Sequence, residues 1–410
     1  MHAKSKLKIL MGTLLLGAGA AMTMPAAAES ETMQNLLSIL RDRGSISQDE
    51  YNALMNAAAI EDKEAKEKAD KMAEAGKSSG ASDWTQKIKI KGDLRTRYEN
   101  NDTDGKEGRG RGRIRYRLGV IAQPTDGWQI GAGFASGGDD PRSTNQTFTD
   151  AFSTKGLQLD YAYMQYQFTD SIKAVAGKFL FKDYLWNPTD MMWDGDINPE
   201  GFSANFTTNT DFGRFFANTG VWVLQEVGSS PDDPFMVYGQ GGLKFGEGDW
   251  FGTVAASIYS FEDITSLAST TGFTTYGSHT NTVSNFGDVQ FSGELGTKFA
   301  GGGKGSIFAD YVNNYDTNDP RDDGFSLGAK YGIGDWSFKY IYASLGRNAW
   351  PDFLPDSDRF GGATGIDAHE FIAEYEIMKH VTLGADYYHS TLNAGNIDQD
   401  LVQLDVVVKF

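Results

Sequence analysis

The sequence contains no cysteine. That excludes a small secreted domain stapled by disulfides, and it removes thiolate metal ligands and a thiol nucleophile. Histidine is scarce: there are His2, His279, His369, His380 and His389. His2 lies in the N-terminal leader, His279 in a long connection and His380 in a short turn. His369 and His389 are expected near opposite ends of their strands. None has a serine beside it in the pattern a hydrolase needs, so the chain is not read as an enzyme. Long apolar runs are also missing. After Ala21 no stretch holds the roughly 18 apolar residues that a transmembrane helix requires. The formal charge is −18, which excludes a nucleic-acid binder despite one arginine-rich segment. No metal or other cofactor is implied. Asp194, Asp196 and Asn198 have calcium-like spacing but lack the glycine and the distant glutamate of a calcium hand.

What is present is 49 glycines and 13% aromatic residues, a composition of strands and turns rather than helices. Two N-terminal stretches stand apart. Residues 1–28 read as a secretory signal peptide. Lys4, Lys6 and Lys8 precede an apolar stretch, Ile9 to Ala21, too short to span a bilayer, and a small-residue cleavage site follows at Ala28. Removing three lysines and no acids takes the formal charge from −18 to −21. Residues 29–82 read as a helical hairpin and linker. Met33, Leu36, Leu37 and Leu40 have amphipathic spacing, Gly44 ends that helix, and Ser47 to Glu50 form a capping box that starts the next. "EDKEAKEKADKMAEA" continues as a charged helix and "GKSSGAS" as a flexible linker. This segment is expected to be a tether, an oligomerisation stalk or a cell-wall contact.

From Asp83 onward the period is two. "GRGRGRIRYRLGV" places Arg109, Arg111, Arg113, Arg115 and Arg117 on one face of a strand, with Ile114, Tyr116, Leu118 and Val120 on the other. "WTQKIKIKGDLRTRYEN" does the same with Lys87, Lys89, Lys91, Arg95 and Arg97 against Ile88, Ile90, Leu94 and Tyr98. Near the C-terminus Glu370, Glu374 and Glu376 oppose Phe371, Ala373, Tyr375 and Ile377. Asp386 lies opposite Leu383, Ala385 and Tyr387, and Asp405 opposite Val402, Leu404, Val406, Val408 and Phe410. Residues 156–168 and 250–261 alternate too poorly for their faces to be assigned.

About sixteen strands emerge, and the connections between them alternate short and long. Short ones fall near "QPTDG", "TDS", "NTD", "GEGD", "AGGGKG", "GIGD" and "MKH". Long ones fall at 137–155, 182–200, 225–234, 262–284, 314–323, 347–366 and 391–398. The fold expected over 83–410 is therefore an all-β transmembrane barrel of antiparallel strands, with apolar faces toward lipid and charged faces toward a water-filled lumen. A charge at the lipid midplane costs about 2–4 kcal/mol, so the arginines are expected inside.

A terminal Phe410 on an alternating strand resembles the assembly signal of Gram-negative outer-membrane barrels, which the barrel-assembly machinery reads. "GDLRTRYEN…GRGRIRYRLGV", "FASGG…STNQTF", "LQLDYAYMQYQF", "AGKF" and "NPTDMMWDGDINPEGFSANF" resemble the putative-porin family of Gram-negative outer-membrane proteins. The resemblance implies a general-porin-like barrel of sixteen strands in outer-membrane lipid, acting as a homotrimer. It names no solute.

In such a barrel the loop "KDYLWNPTDMMWDGDINPEG" takes the place of an inward-folded constriction loop. Its Asp190, Asp194, Asp196 and Glu200, with Trp193 among its apolar residues, are expected to face the basic sector of the first two strands. Glu370, Glu374, Glu376, Asp386 and Asp405 form an acidic sector beside it, because the last strand closes onto the first. The function expected is passive diffusion of ions and small hydrophilic solutes. Two alternatives are a channel selective for phosphate- or carboxylate-type anions and a structural anchor between outer membrane and cell wall. A purely structural role for the arginine row, pairing with lumen carboxylates, is a further possibility.

Overall fold

A computed structural model of the chain describes residues 87–226, 228, 233–264 and 280–410. The expected signal peptide and helical segment, together with His279, lie outside the described residues. Among those described, sixteen long strands and one two-residue strand form a single closed antiparallel sheet. They are β1 (Lys89–Thr103), β2 (Arg109–Ala122), β3 (Trp128–Ser136), β4 (Gln146–Thr147), β5 (Leu157–Gln167) and β6 (Ile172–Lys178). Next come β7 (Glu200–Thr210), β8 (Gly213–Val223), β9 (Phe235–Glu247), β10 (Trp250–Glu262), β11 (Phe286–Lys298) and β12 (Lys304–Asn314). The last are β13 (Asp323–Ile333), β14 (Trp336–Leu345), β15 (Ile366–Met378), β16 (Val381–Leu392) and β17 (Ile397–Lys409).

Each long strand pairs with its neighbours in the chain, and β17 returns to pair with β1, so no edge is left open. The short β4 lies outside this succession and pairs only with Arg113 and Ile114 of β2. Closure reaches the last residue. Phe410 and Gly92 exchange both backbone hydrogen bonds, at 2.9 and 3.0 Å. A Cβ on Gly92 would lie 2.5 Å from the Phe410 ring, so this contact requires glycine.

The alternation expected from the sequence is observed. Ile90, Leu94, Tyr98, Val120, Leu327, Phe338, Phe371, Leu404, Val406 and Val408 are exposed on the outer face. The alternate residues of the strands, among them Asp93, Arg97, Glu99, Gln240, Gln290, Asp310, Ser326 and Asp405, are buried toward the interior. At the end of the barrel carrying the short turns, Trp128, Phe168, Phe212, Trp250, Phe299 and Trp336 form an exposed aromatic girdle. That end is the turn side, and the opposite end the loop side.

The two segments with unreadable alternation are β5 and β10, and each has a physical reason. In β5 the register with β3 shifts at Gly133/Phe134, opposite Asp160. This bulge switches the face that alternate residues occupy. In β10 the inner face carries buried Tyr259 and Phe261, which have apolar partners inside the barrel. With apolar residues on both faces, period two vanishes from the sequence.

His369, near the start of β15, and His389, near the end of β16, lie near opposite ends of their strands as expected. They are register partners, with ring centroids 6.4 Å apart, on the outer face near the loop side. The hairpin turn at 379–380 places equal distances from the turn at equal height, which the strand count alone did not settle. His369 Nδ1 lies 2.9 Å from the Tyr340 hydroxyl, and His389 Nδ1 2.9 Å from an Asp400 carboxylate oxygen.

Candidate functional site

The interior is narrowed by the chain between β6 and β7, residues 179–199. The loop departs from the wall at Gly177 and returns at Gly201, which face each other in register. Their φ angles are +115° and +145°, a region L side chains rarely adopt. From there Phe179, Phe181, Tyr184, Leu185, Met191, Met192 and Trp193 bury themselves against inward residues of the wall. The Trp193 ring lies 5.3 Å from that of Trp222 on β8, 6.2 Å from Tyr259 on β10 and 5.5 Å from Trp350. A hydrophobic core therefore sits inside the barrel. These bulky apolar residues pack there instead of remaining in water, at roughly 1.5–3 kcal/mol per large side chain.

The polar residues of the "WDGDIN" stretch tie this loop to four other elements. The Asp194 N–H donates to the Leu354 carbonyl at 2.7 Å, and its carboxylate accepts from the backbone N–H groups of Asp196 and Ser357. The Asp196 carboxylate accepts from the Thr144 hydroxyl at 3.0 Å and reaches the Arg117 guanidinium at 3.4 Å. The Asn198 amide donates to Asp160 of β5 at 2.8 Å.

The five arginines of β2 and the two of β1 share the inner face. Opposite neighbours in register are Asp93 and Arg117, Arg95 and Arg115, Arg97 and Arg113, and Glu99 and Arg111. Nearly every guanidinium has a carboxylate. Glu99 takes Arg111 and Arg113, the latter at 3.0 Å. Asp93 takes Arg115 at 2.9 Å and Arg117 at 2.8 Å. Arg97 makes a two-pronged pair with Asp405, both bonds 2.7 Å, and lies 3.6 Å from Asp358 and 3.9 Å from Asp386. Arg95 is 3.5 Å from Asp405 and donates to Asn145. Arg109 is exposed at the loop-side end of β2. Lys89 and Lys91 lie in β1 toward the turn side, and Lys87, just before the strand, is 3.8 Å from Asp126.

The other expected acidic residues separate. Asp386 and Asp405 meet the arginine row. Glu370 is instead buried against Lys339, at 3.2 Å, and Arg359. Glu374 and Glu376 are exposed near the turn side. Asp190 pairs with Arg359 rather than with the row, and Glu200 pairs with Lys178 at 3.1 Å on the adjacent strand. Trp193 is 2% exposed and belongs to the internal core.

These placements divide the loop carboxylates electrostatically. Burial opposes ionisation of Asp196, but Arg115 and Arg117 outweigh it and hold the carboxyl below its usual range. Burial, then the charge of Asp196, pushes Asp194 well above that range. At Asp190 burial is again overcome, here by Arg359 and then Lys339. Burial and the neighbouring charge of Asp190 drive Asp356 upward.

Two groups of residues escaped the sequence reading. The first is the long connection 346–365, which also folds inward. Trp350 is fully buried, and its indole N–H donates to the Met192 carbonyl at 2.8 Å. Arg359 of the same segment sits among Asp190, Asp356 and Glu370. Its Trp350, Phe353, Leu354 and Phe360 were the available signal, the same wealth of large apolar residues seen in 179–199. The second group is a set of cations on the turn side: Lys173, Lys182, Arg214, Lys244, Lys304 and Lys330. They are scattered through six separate segments, so no local motif announces them.

Comparison with known proteins agrees with this architecture. Residues 100–294 match the family model described as "Putative porin". The solved high-pH structure of Pseudomonas putida OprB superposes with a TM-score of 0.55 at 12% identity, over 80% of this chain and 95% of that one. A triple mutant of the Rhodopseudomonas blastica porin matches with a TM-score of 0.46, also at 12% identity, over 79% of this chain and 100% of that one. At this identity the OprB match establishes a shared fold. No curated protein matches the sequence.

Proposed function

From a closed barrel whose residues 100–294 match the putative-porin family, we propose that the protein is an outer-membrane porin for passive diffusion of ions and small hydrophilic solutes. The observation that carries this reading is the segregation of the two barrel faces. Large apolar side chains cover the outside, while the inner face carries charged and amide side chains beside the apolar core that the inward loops form with part of the wall. A soluble barrel would expose the opposite face. The aromatic girdle on the turn side supports insertion with that end at one membrane interface.

In this reading the solute passes between the arginine row of β1 and β2 and the inward loops 179–199 and 346–365. Asp196, Asp358, Asp386 and Asp405 lie in ion-pair contact with that row. Such a lining of paired charges orients polar solutes and rejects apolar ones. Because most of the arginines already hold carboxylates, they shape the passage more than they supply free positive charge. The short turns face the periplasm, a homotrimer is the assembly, and the β17–β1 seam with Phe410 is what the assembly machinery recognises.

Reconstitution into a planar lipid bilayer tests the proposal. Folded protein should produce stepwise conductance increments that scale with salt concentration. Folded, membrane-inserted protein that gives no increments would overturn it.

A further inference from the structure

Beneath the inward loop, on the turn side, Lys182, Arg214 and Lys244 line one cavity of about 190 Å³ with Asn205, Thr207 and Trp186. Lys182 comes from the loop, Arg214 from β8 and Lys244 from β9. All three are exposed to the interior. Among the described residues none has an ion-pair partner. Arg214 donates one bond, to the Thr207 hydroxyl at 3.2 Å, and this leaves most of its planar donor fork open. Lys244 lies over the Phe216 ring at 5.6 Å and Lys182 over Phe181 at 5.7 Å, contacts that hold an ammonium without neutralising it. The one carboxylate in the lining is Asp183. Three cations against one acid leave a net charge of +2.

The cavity is also built to keep its shape. Gln240 of β9 clamps the Trp186 backbone from both sides: its amide donates to the Trp186 carbonyl at 2.9 Å and accepts from the Trp186 N–H at 2.8 Å. Gln240 further joins Asn218 and Ser257, and Asn218 accepts from Asn205 at 2.6 Å. The loop that carries Lys182 is thus fixed to the wall that carries Arg214 and Lys244. Pre-ordered cations lose little freedom when an anion arrives.

We propose that this cavity is a binding site for small oxyanions, solutes bearing a phosphate or carboxylate group, which take the fork of Arg214 and the ammonium groups of Lys182 and Lys244. It deepens the channel reading by naming a solute class, and its binding test does not depend on conduction. Three free cations attract an anion that a neutralised arginine row cannot.

The probe is inorganic phosphate, and the sample is the full mature chain in detergent. Its ³¹P resonance should broaden on addition of protein. Lys182→Gln, Arg214→Gln and Lys244→Gln together should raise the half-saturating phosphate concentration at least about tenfold. Lys155→Gln, which removes a lysine from an exposed loop, should leave it unchanged. If the triple variant does not fold, Lys244→Gln alone, at an exposed position, should raise it about threefold. Equal broadening by wild type and variants would overturn the site. In parallel bilayer recordings, phosphate should block chloride current in wild type and less in the variant. A barrel that binds phosphate but does not conduct leaves the site standing and removes the channel. One that conducts while binding is unaffected by the substitutions does the reverse.

Discussion

Two cationic regions share the interior of this barrel and differ in whether their charges have partners. On β1 and β2 every arginine but Arg109 lies within ion-pair reach of Asp93, Glu99, Asp405 or Asp196, and Arg97 is only 4% exposed. On the turn side Lys182, Arg214 and Lys244 face open space with no ion-pair partner among the described residues. Positive side chains in the two regions therefore do different work. A buried, paired guanidinium contributes to the wall, and removing one partner strands a charge. An exposed, unpaired one contributes little to stability and is free to meet a solute.

The difference is broken most severely by Arg97→Ala, which removes the cation shared by Asp358, Asp386 and Asp405 and leaves Asp405 only its longer contact with Arg95. The expected loss is about 3–5 kcal/mol, the usual scale for half of a buried pair. Urea unfolding followed by heat-modifiable gel migration measures it, and a loss below about 1 kcal/mol would show that the pairs are not structural. Trp350→Ala opens a cavity in the internal core, at about 3–5 kcal/mol. The closed wall should persist, and the freed 346–365 loop should raise single-channel conductance.

Next in size is Glu99→Gln, which releases Arg111 and Arg113. It should shift the reversal potential in a salt gradient toward anions. Arg113→Ala with Arg115→Ala should shift it toward cations, because the Glu99 and Asp93 clusters each hold two arginines and each loses its surplus positive charge. An unmoved potential in both would mean the row does not line the conducting path.

The loop acids give a smaller, pH-dependent effect. Asp196 is held below the usual carboxylate range, so its contribution is complete above that range and is lost as pH falls through the depressed value. Asp194 is pushed above it, so its effect has the opposite sign: stability declines as pH rises from the usual range toward the raised value. Asp196→Asn should therefore cost about 1–3 kcal/mol near neutral pH by removing the charged acceptor of Thr144 and one of the two carboxylate partners of Arg117. Asp194→Asn, which mimics the protonated form, should be neutral or stabilising there. Thermal unfolding of both variants at pH 5 and pH 8 separates them. The smallest effect is Lys244→Ala, which should change stability by less than about 1 kcal/mol.

Much of the wall was legible because a strand's alternation is a local property. The rows 109–117 and 89–97 could be assigned to an inner face from spacing alone, since lipid excludes charge from the outer one. The inward course of 179–199 was legible for a related reason: Trp186, Met191, Met192 and Trp193 are too apolar for a loop in water. Legibility failed at β10, where the loop's own core makes both faces apolar, and at β5, where a bulge at Asp160 resets the period. The same apolar signal is present in 346–365, at Trp350, Phe353, Leu354 and Phe360.

From the sequence alone came the barrel, its count of about sixteen strands, the meeting of its last strand with its first, and which residues look inward in the strands with clear alternation. All of these follow from period two and from the alternation of short and long connections, which adjacent residues encode. Tertiary structure alone decided which carboxylate meets which arginine, that Asp190 turns to Arg359 rather than to the row, and that Lys182, Arg214 and Lys244 gather around one empty space. Charge pairing inside a closed barrel depends on register and on loops that cross the interior, and these join residues tens to hundreds of positions apart.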